Sequence, residues 1–363
     1  MKLKTKVLVI GGGPAGSSAA RFLAEGSSDV ILLEKNLNFI KPCGGGIPSS
    51  AFEEFDIPFS LARKEISEIR VVSPSGERLD IELEDGKLLL VERGFFDQAL
   101  RNTAKQKGAR VIEGEFVGLA EGSTYMTEAR SGDETISISS EYVVAADGVN
   151  SKVRTSLGIK PSGALFTVLE SIKGVKTDTC EFWFGSSHAP RSYSWIFPAQ
   201  DGISAGTGTF EQGTIRTMLE RFKAKRGIQS EGKKRVYRIP LWEGSLYAKD
   251  RILFAGDSAG QVMPLSYEGI YYAMKSGEFA ARAILEGKPE NYRKMWKERF
   301  QRRFVLMEKL RDYFLRDDAS AEKLIALHRK PEIRQASMKL WLKKTRSSIN
   351  LRDYIRLFGK ILN

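Results

Sequence analysis

The chain has 363 residues, 42% hydrophobic and 28% charged, the mixture of a globular protein rather than a disordered or fibrous one. Its 57 Lys and Arg against 45 Asp and Glu give a net charge of +12. Two cysteines exclude a disulfide framework, and two histidines argue against a metal site.

The longest stretch without Asp, Glu, Lys or Arg is Val7–Ala20, and it is broken by Gly11, Gly12, Gly13 and Gly16. A membrane span needs roughly 20 apolar residues, more than this stretch holds. Lys2, Lys4 and Lys6 before Val7–Ile10 imitate a signal peptide, but the apolar run breaks at once into glycines. A cytoplasmic, reducing location is therefore expected. The charge is uneven: residues 1–287 carry 36 basic and 36 acidic groups, and residues 288–363 carry 21 and 9. The whole excess belongs to the segment 288–363, as an anion-binding segment or a solvated helical face.

In chain order, the apolar Lys6–Ile10 predicts a strand, Gly11–Gly16 a tight turn, and the segment through Ala24 a helix. Val30–Leu33 predicts the next strand, so the chain starts with a parallel βαβ unit. Pro42–Pro48 is a glycine-rich loop. Ile66–Leu90 alternates around Pro74-Ser75-Gly76 and predicts antiparallel strands. A helix is expected over Phe95–Lys107, and strands at Val111–Ile112, Phe116–Leu119 and Tyr142–Ala146. Residues 160–250 read as β-rich, interrupted by one helix near Ile215–Lys225. Ile252–Ala255 predicts a strand and Gly269–Ile284 a helix rich in small residues. From Tyr292 on, Trp296, Phe300, Phe304, Met307, Leu310 and Phe314 fall on one helical stripe.

Gly11-x-Gly13-x-x-Gly16 lies between strand and helix, and Glu34 ends the strand that follows. Gly11 serves the turn, Gly13 lets a pyrophosphate approach, and Gly16, beside Ala15, permits close helix–strand packing. The helix start attracts phosphate and Glu34 can accept from ribose hydroxyls. Together these predict a dinucleotide site.

Two further segments resemble the flavoprotein superfamily that includes aromatic hydroxylases. Ala146-Asp147-Gly148 is similar to its Asp-Gly motif and Ala255-Gly256-Asp257 to its Gly-Asp motif. The resemblance implies FAD as cofactor, with Asp257 bonding its ribityl and pyrophosphate region. Arg93, in Arg93-x-x-Phe96-Asp97, then contacts FAD, against the alternative of an exposed salt bridge. Three more segments resemble geranylgeranyl reductases: Lys41-Pro42-Cys43-Gly44-Gly45-Gly46, Tyr193-x-Trp195-x-Phe197-Pro198, and Pro264 with Glu268-Gly269-Ile270. The last departs from the family's Gly-Glu-Gly-Ile by placing Tyr267 first.

The resemblance implies reduction of carbon–carbon double bonds in prenyl chains, with a hydride from flavin N5 and a proton from a donor the sequence does not identify. Cofactor contacts are expected at Gly11, Gly13, Ala15, Gly16, Glu34, Cys43, Gly44, Gly46, Arg93, Asp257, Gly269 and Ile270. Cys43, Tyr193 and Trp195 are the expected catalytic-site residues. For Cys43 the alternative is a small loop residue. Phe182, Trp183, Phe184 and Phe197 are further candidates for apolar walls. Cys180 reads as structural. No metal and no nucleic-acid partner is expected.

The implied fold is α/β. A discontinuous Rossmann-like FAD-binding domain (1–65, 91–158, 250–287) carries an inserted antiparallel β substrate domain (66–90, 159–249) and a C-terminal helical region (288–363). Leu351–Asn363 has an apolar face and a basic face, as in a helix lying on an anionic membrane or docked on the enzyme body. Peripheral attachment to the inner face of the membrane is the corresponding expectation. The electron donor is NAD(P)H or a small redox protein, and the substrate a prenyl lipid or prenyl diphosphate. Two rivals remain: a flavin monooxygenase or halogenase on the same fold, and a prenyl-binding carrier without catalysis.

Overall fold

A computed structural model describes residues 1–344. Residues 345–363, including the amphipathic segment Leu351–Asn363, lie outside the described residues. The chain forms two compact units. The first comprises Met1–Lys41, Gly94–Ala164 and Ile239–Phe304; the second comprises Pro42–Arg93, Leu165–Arg238 and the described residues from Val305 on.

The first unit is built on five parallel strands in the order Ile252–Phe254, Glu134–Ala145, Lys2–Ile10, Val30–Glu34 and Arg110–Glu113. Their buried faces explain the continuous apolar runs Val7–Ile10 and Val30–Leu33. Register aligns their ends: Ile10 is level with both Ala145 and Leu33, and Ala145 with Phe254. The glycine turn, Glu34, Asp147 and Asp257 therefore all emerge at the carboxyl edge, where doubly wound sheets bind ligands. A hairpin of Tyr125–Ser131 on Glu134–Ser140 extends the sheet. Tyr125–Ser131 is a strand that the sequence does not signal, because its inward residues Tyr125, Thr127 and Ala129 give only a weak apolar alternation and Met126 breaks it on the outer face.

The second unit contains a seven-stranded sheet in the order Lys233–Pro240, Ala164–Lys173, Gly202–Thr209, Ser194–Ala199, Cys180–Trp183, Glu68–Val72 and Arg78–Glu82. Its recorded pairings are antiparallel except that Cys180–Trp183 runs parallel to Glu68–Val72, a departure from the all-antiparallel expectation. One face buries Ile196, Ile203 and Trp183 beneath the helix Ile215–Arg226. Ion pairs fasten this helix to the sheet: Lys223 to Glu170 at 3.1 Å, Arg226 to Glu181 at 2.8 Å and Glu220 to Lys234 at 2.8 Å. A three-stranded sheet joins Gly46–Pro48, Leu88–Val91 and Ala62–Ile66. Residues 42–65 fall in the second unit, whereas the implied domain boundary places them in the FAD-binding domain.

The aromatic stripe is buried throughout, from Trp296 to Phe314. A single wide i→i+5 turn at Lys297–Gln301 shifts its phase. The residues after 288 are helical, as expected; those through Phe304 fall in the first unit and the described ones from Val305 in the second.

Beneath the second sheet, His188 is fully buried. Its Nδ1 is 2.7 Å from Ser194 Oγ, which donates to Thr207 Oγ1 (2.8 Å), which donates in turn to the His188 carbonyl (2.6 Å). With both hydroxyl protons committed, the imidazole must donate from Nδ1, and its buried Nε2 has no acceptor for a second proton, so the neutral ring is favoured. Burial lowers its pKa from 6.5 to about 4. The unfolded chain therefore takes up a proton below pH 6.5 that the folded chain refuses until about pH 4. Stability should fall across that window by on the order of 3 kcal/mol from this residue. Half-buried His328, also shifted downward, acts in the same direction. Urea unfolding of His188→Gln between pH 7 and pH 4 should show a shallower loss than the parent; equal slopes would contradict this assignment.

Candidate functional site

The site in the first unit begins at the turn between Lys2–Ile10 and the helix Pro14–Glu25. Gly11 has φ +103, and a methyl on it would lie 2.3 Å from the Ala146 carbonyl. On Gly16 it would lie 1.8 Å from the Gly11 carbonyl. Neither position admits a side chain. Gly13, by contrast, faces open space and begins the helix with no side-chain cap. The first N–H groups of the helix are therefore left for an anion.

Glu34 is held by this turn. Its Oε2 accepts from the Gly12 N–H at 2.5 Å and its Oε1 from the Asn36 N–H at 3.0 Å. Each carboxylate oxygen keeps a lone pair for a hydroxyl. Arg101, which sequence motifs do not reveal, reaches the same place from the helix Arg93–Gln106. It donates to the carbonyls of Gly12 (3.1 Å) and Leu37 (2.7 Å). Only its place two turns into that helix could have signalled this.

Asp147 Oδ2 accepts from the Val153 N–H at 3.1 Å, and burial pushes its carboxyl above the usual range. Arg154 donates to the carbonyls of Ser258 (3.1 Å) and Lys160, tying the Asp-Gly segment to the Gly-Asp segment. The Gly256 N–H bonds both Gln261 Oε1 (2.9 Å) and Ser276 Oγ (2.8 Å). Asp257 projects from this turn and pairs with Lys41. Its Oδ1 is 3.6 Å from where a methyl on Gly269 would sit. Gly269 precedes the helix Ile270–Leu285 and also lacks a side-chain cap. Ala15 lies against Gly256, 2.9 Å from a methyl built there. Thus Gly11, Gly13, Ala15, Gly16, Glu34, Asp257, Gly269 and Ile270 belong to one connected edge. Tyr267 has φ +52, a left-handed backbone that the family's glycine adopts freely and a tyrosine only at a cost of roughly 1–2 kcal/mol.

Cys43, Gly44, Gly46, Arg93, Tyr193 and Trp195 lie in the second unit. Cys43 is exposed, and its Sγ accepts from the Gly45 N–H at 3.4 Å. A methyl on Gly44 would be 2.7 Å from the Phe197 ring. The loop therefore lies flat on the last aromatic of the Tyr193–Pro198 motif. Arg93 is buried, not an exposed salt bridge. Phe182 stands 5.6 Å from Tyr193 and 5.5 Å from Phe197; Tyr193 is 5.9 Å from Phe184 and 6.3 Å from Trp195. Trp341, which sequence does not single out, joins them 6.1 Å from Phe182. Trp183 takes the opposite face, bonded to Glu181 and packed on Phe222. Cys180 is buried in the apolar cluster beneath Phe197, and burial pushes its thiol up.

Open space at Gly13, an uncapped helix start, and carboxylates that accept without donating fit a dinucleotide with a diphosphate and sugar hydroxyls. Fold and site define a dinucleotide-binding protein of the doubly wound α/β class. Residues 4–56 and 61–281 match the FAD binding domain family. The chain is 32% identical to geranylgeranyl diphosphate reductase of Arabidopsis thaliana, over 83% of this chain and 70% of the relative. It is 31% identical to digeranylgeranylglycerophospholipid reductase 2 of Methanothermobacter thermautotrophicus, over 91% and 92%. A geranylgeranyl bacteriochlorophyll reductase-like structure from Thermoplasma acidophilum superposes with a TM-score of 0.84 at 23% identity, covering 99% of each chain. The chain belongs to the geranylgeranyl reductase family of FAD-binding proteins.

Glu34→Ala removes the acceptor that fixes the Gly12 N–H. Fluorescence titration of the flavin-free protein should show FAD affinity reduced about tenfold or more, since bonds to charged groups contribute about 1.5–3 kcal/mol. Unchanged affinity would remove Glu34 from the site.

Proposed function

We propose that this oxidoreductase reduces carbon–carbon double bonds in prenyl chains of the geranylgeranyl type. The observation that carries the reading is the seat of the Cys43–Gly46 loop on Phe197, within an aromatic face formed by Phe182, Tyr193 and Trp195. A prenyl chain offers no hydrogen bonds along its length, so it must be held by area and shape. An aromatic face provides large contact area with few rotatable bonds. Relatives named as reductases of geranylgeranyl diphosphate and of a digeranylgeranylglycerophospholipid support the same chemistry.

Bound, reduced FAD supplies the hydride. The chain's own work is positioning and exclusion of water. Glu34, the Gly11–Gly16 turn, Asp257 and the uncapped Gly269–Ile270 helix start hold the cofactor. Arg93 is assigned to the cofactor by its motif. Backbone N–H groups at that helix start favour negative charge on a reduced flavin ring. Tyr193 and Trp195 hold the alkene-bearing chain. Cys43, on a loop without side-chain bulk at Gly44 and Gly46, positions the alkene or the ring. The donor of electrons is NAD(P)H or a small redox protein. An anionic membrane surface is the proposed partner of residues 351–363. Among the described residues no helix is long and apolar enough to cross a membrane.

Reduced protein mixed without oxygen with geranylgeranyl diphosphate, and separately with a digeranylgeranyl glycerophospholipid, should recover the absorbance of oxidised flavin with at least one of them. Strict dependence on oxygen would instead indicate a monooxygenase or halogenase, and failure to take up FAD a carrier. Trp195→Ala should lower kcat/KM at least tenfold, about 1.4 kcal/mol, while leaving the bound-flavin spectrum intact. Cys43→Ala with unchanged turnover and spectrum would remove Cys43 from the site.

A further inference from the structure

Lys41 is not among the groups assigned to cofactor or substrate above, yet its ammonium meets Asp257 Oδ2 in an ion pair spanning 216 residues of sequence. Both side chains are largely withdrawn from water, 25% and 11% exposed. The Asp257 backbone cannot swing to seek another partner. Gly256, with φ +67, is fixed through its N–H by Gln261 and Ser276, and the Asp257 carbonyl accepts from the Gly260 N–H at 3.0 Å. Gln261 is anchored in turn by the Tyr292 hydroxyl at 2.8 Å. The carboxylate therefore stands between an ammonium at one oxygen and bare backbone at Gly269 near the other.

This arrangement answers an electrostatic difficulty. A carboxylate suits sugar-type hydroxyls because it only accepts. The same carboxylate repels a diphosphate, and it opposes the negative charge a flavin gains on reduction. A partly buried site screens neither effect as water would. An ammonium on the carboxylate's far oxygen removes the repulsion and fixes the carboxylate's rotation, leaving the other oxygen to accept.

We propose that Lys41 is a positioning residue of the flavin site: through Asp257 it orients the accepting oxygen and offsets the carboxylate's charge against the cofactor. It rests on the reading that Asp257 faces FAD. Arginine in its place keeps the charge but with a planar, longer head, so Lys41→Arg should retain most of the effect. Lys41→Met keeps the stem and removes only the ammonium.

The test is a double-mutant cycle on flavin-free protein titrated with FAD, together with the midpoint potential of the bound flavin. Lys41→Met should weaken FAD binding at least tenfold and shift the potential to more negative values. Lys41→Arg should stay within about threefold of the parent. In an Asp257→Asn background, where no carboxylate needs offsetting, Lys41→Met should cost less than threefold. Thermal unfolding of each flavin-free variant controls for folding. If Lys41→Met binds FAD like the parent while Asp257→Asn does not, or if the two effects simply add, the role of Lys41 is overturned. If neither substitution alters affinity or potential, the assignment of Asp257 to the cofactor falls as well.

Discussion

The helix Pro14–Glu25 and the helix Ile270–Leu285 meet with nothing between them. A methyl on Gly277 would lie 2.1 Å from the Ala15 carbonyl and 2.8 Å from the Ala19 nitrogen, and one on Gly256 would lie 2.9 Å from Ala15 Cβ. Backbone here packs on backbone, which only small residues permit. The consequence reaches every part of the cofactor edge. The first helix carries the Gly11–Gly16 turn, the second begins at Gly269, and the Gly256–Asp257 turn lies against both. The side chains along this seam, Ala15, Ala19, Ala273, Ala280 and Ala281, are buried and small. Ser18 adds a hydrogen bond to the Met274 carbonyl at 2.8 Å. Three motifs far apart in sequence are thereby fixed relative to one another before any ligand is considered.

The second unit solves a different problem by similar means. Its sheet offers one face to the helix Ile215–Arg226 and the other to the Leu88, Phe197 and Leu342 cluster. Alternation along Cys180–Trp183 sends Trp183 to the first face and Phe182 to the second. The polar chain through His188, Ser194 and Thr207 fixes the start of the strand Ser194–Ala199, which carries Trp195 and directly follows Tyr193. Trp195 itself lies directly on Gly206 of the next strand, where a methyl would sit 2.2 Å from its ring. A missing side chain under an aromatic ring is how this sheet makes room for a large flat surface.

What was legible in the sequence follows from which interactions are local. The strand–turn–helix around Gly11–Gly16 is specified by one short continuous segment, so its pattern is visible. The helical stripe from Trp296 to Phe314 is likewise periodic, and its burial needs no knowledge of the partner. The site residues that sequence does not reveal act over long separations. Arg101 closes on Gly12 across 89 residues and Lys41 on Asp257 across 216. Trp341 joins Phe182 from a helix, Pro331–Leu342, with no motif around it. The grouping of residues 42–65 with the second unit has the same origin. The segment follows the first βαβ unit in sequence, but Gly46–Pro48 and Ala62–Ile66 pair with Leu88–Val91. The parallel pairing of Cys180–Trp183 with Glu68–Val72 joins strands from distant parts of the chain, beyond what alternation can signal.

Prenyl reduction requires that the flavoprotein act on an alkene and not on oxygen, and product mass tests this most directly. The reduced protein is incubated without oxygen with a prenyl substrate, geranylgeranyl diphosphate first and a digeranylgeranyl glycerophospholipid second, and the recovered lipid is weighed by mass spectrometry. The expected result is a gain in steps of two hydrogens per double bond, with reductant consumed in equal amount. Recovery of both lipids at unchanged mass, or with an added oxygen or halogen once air is admitted, would contradict it.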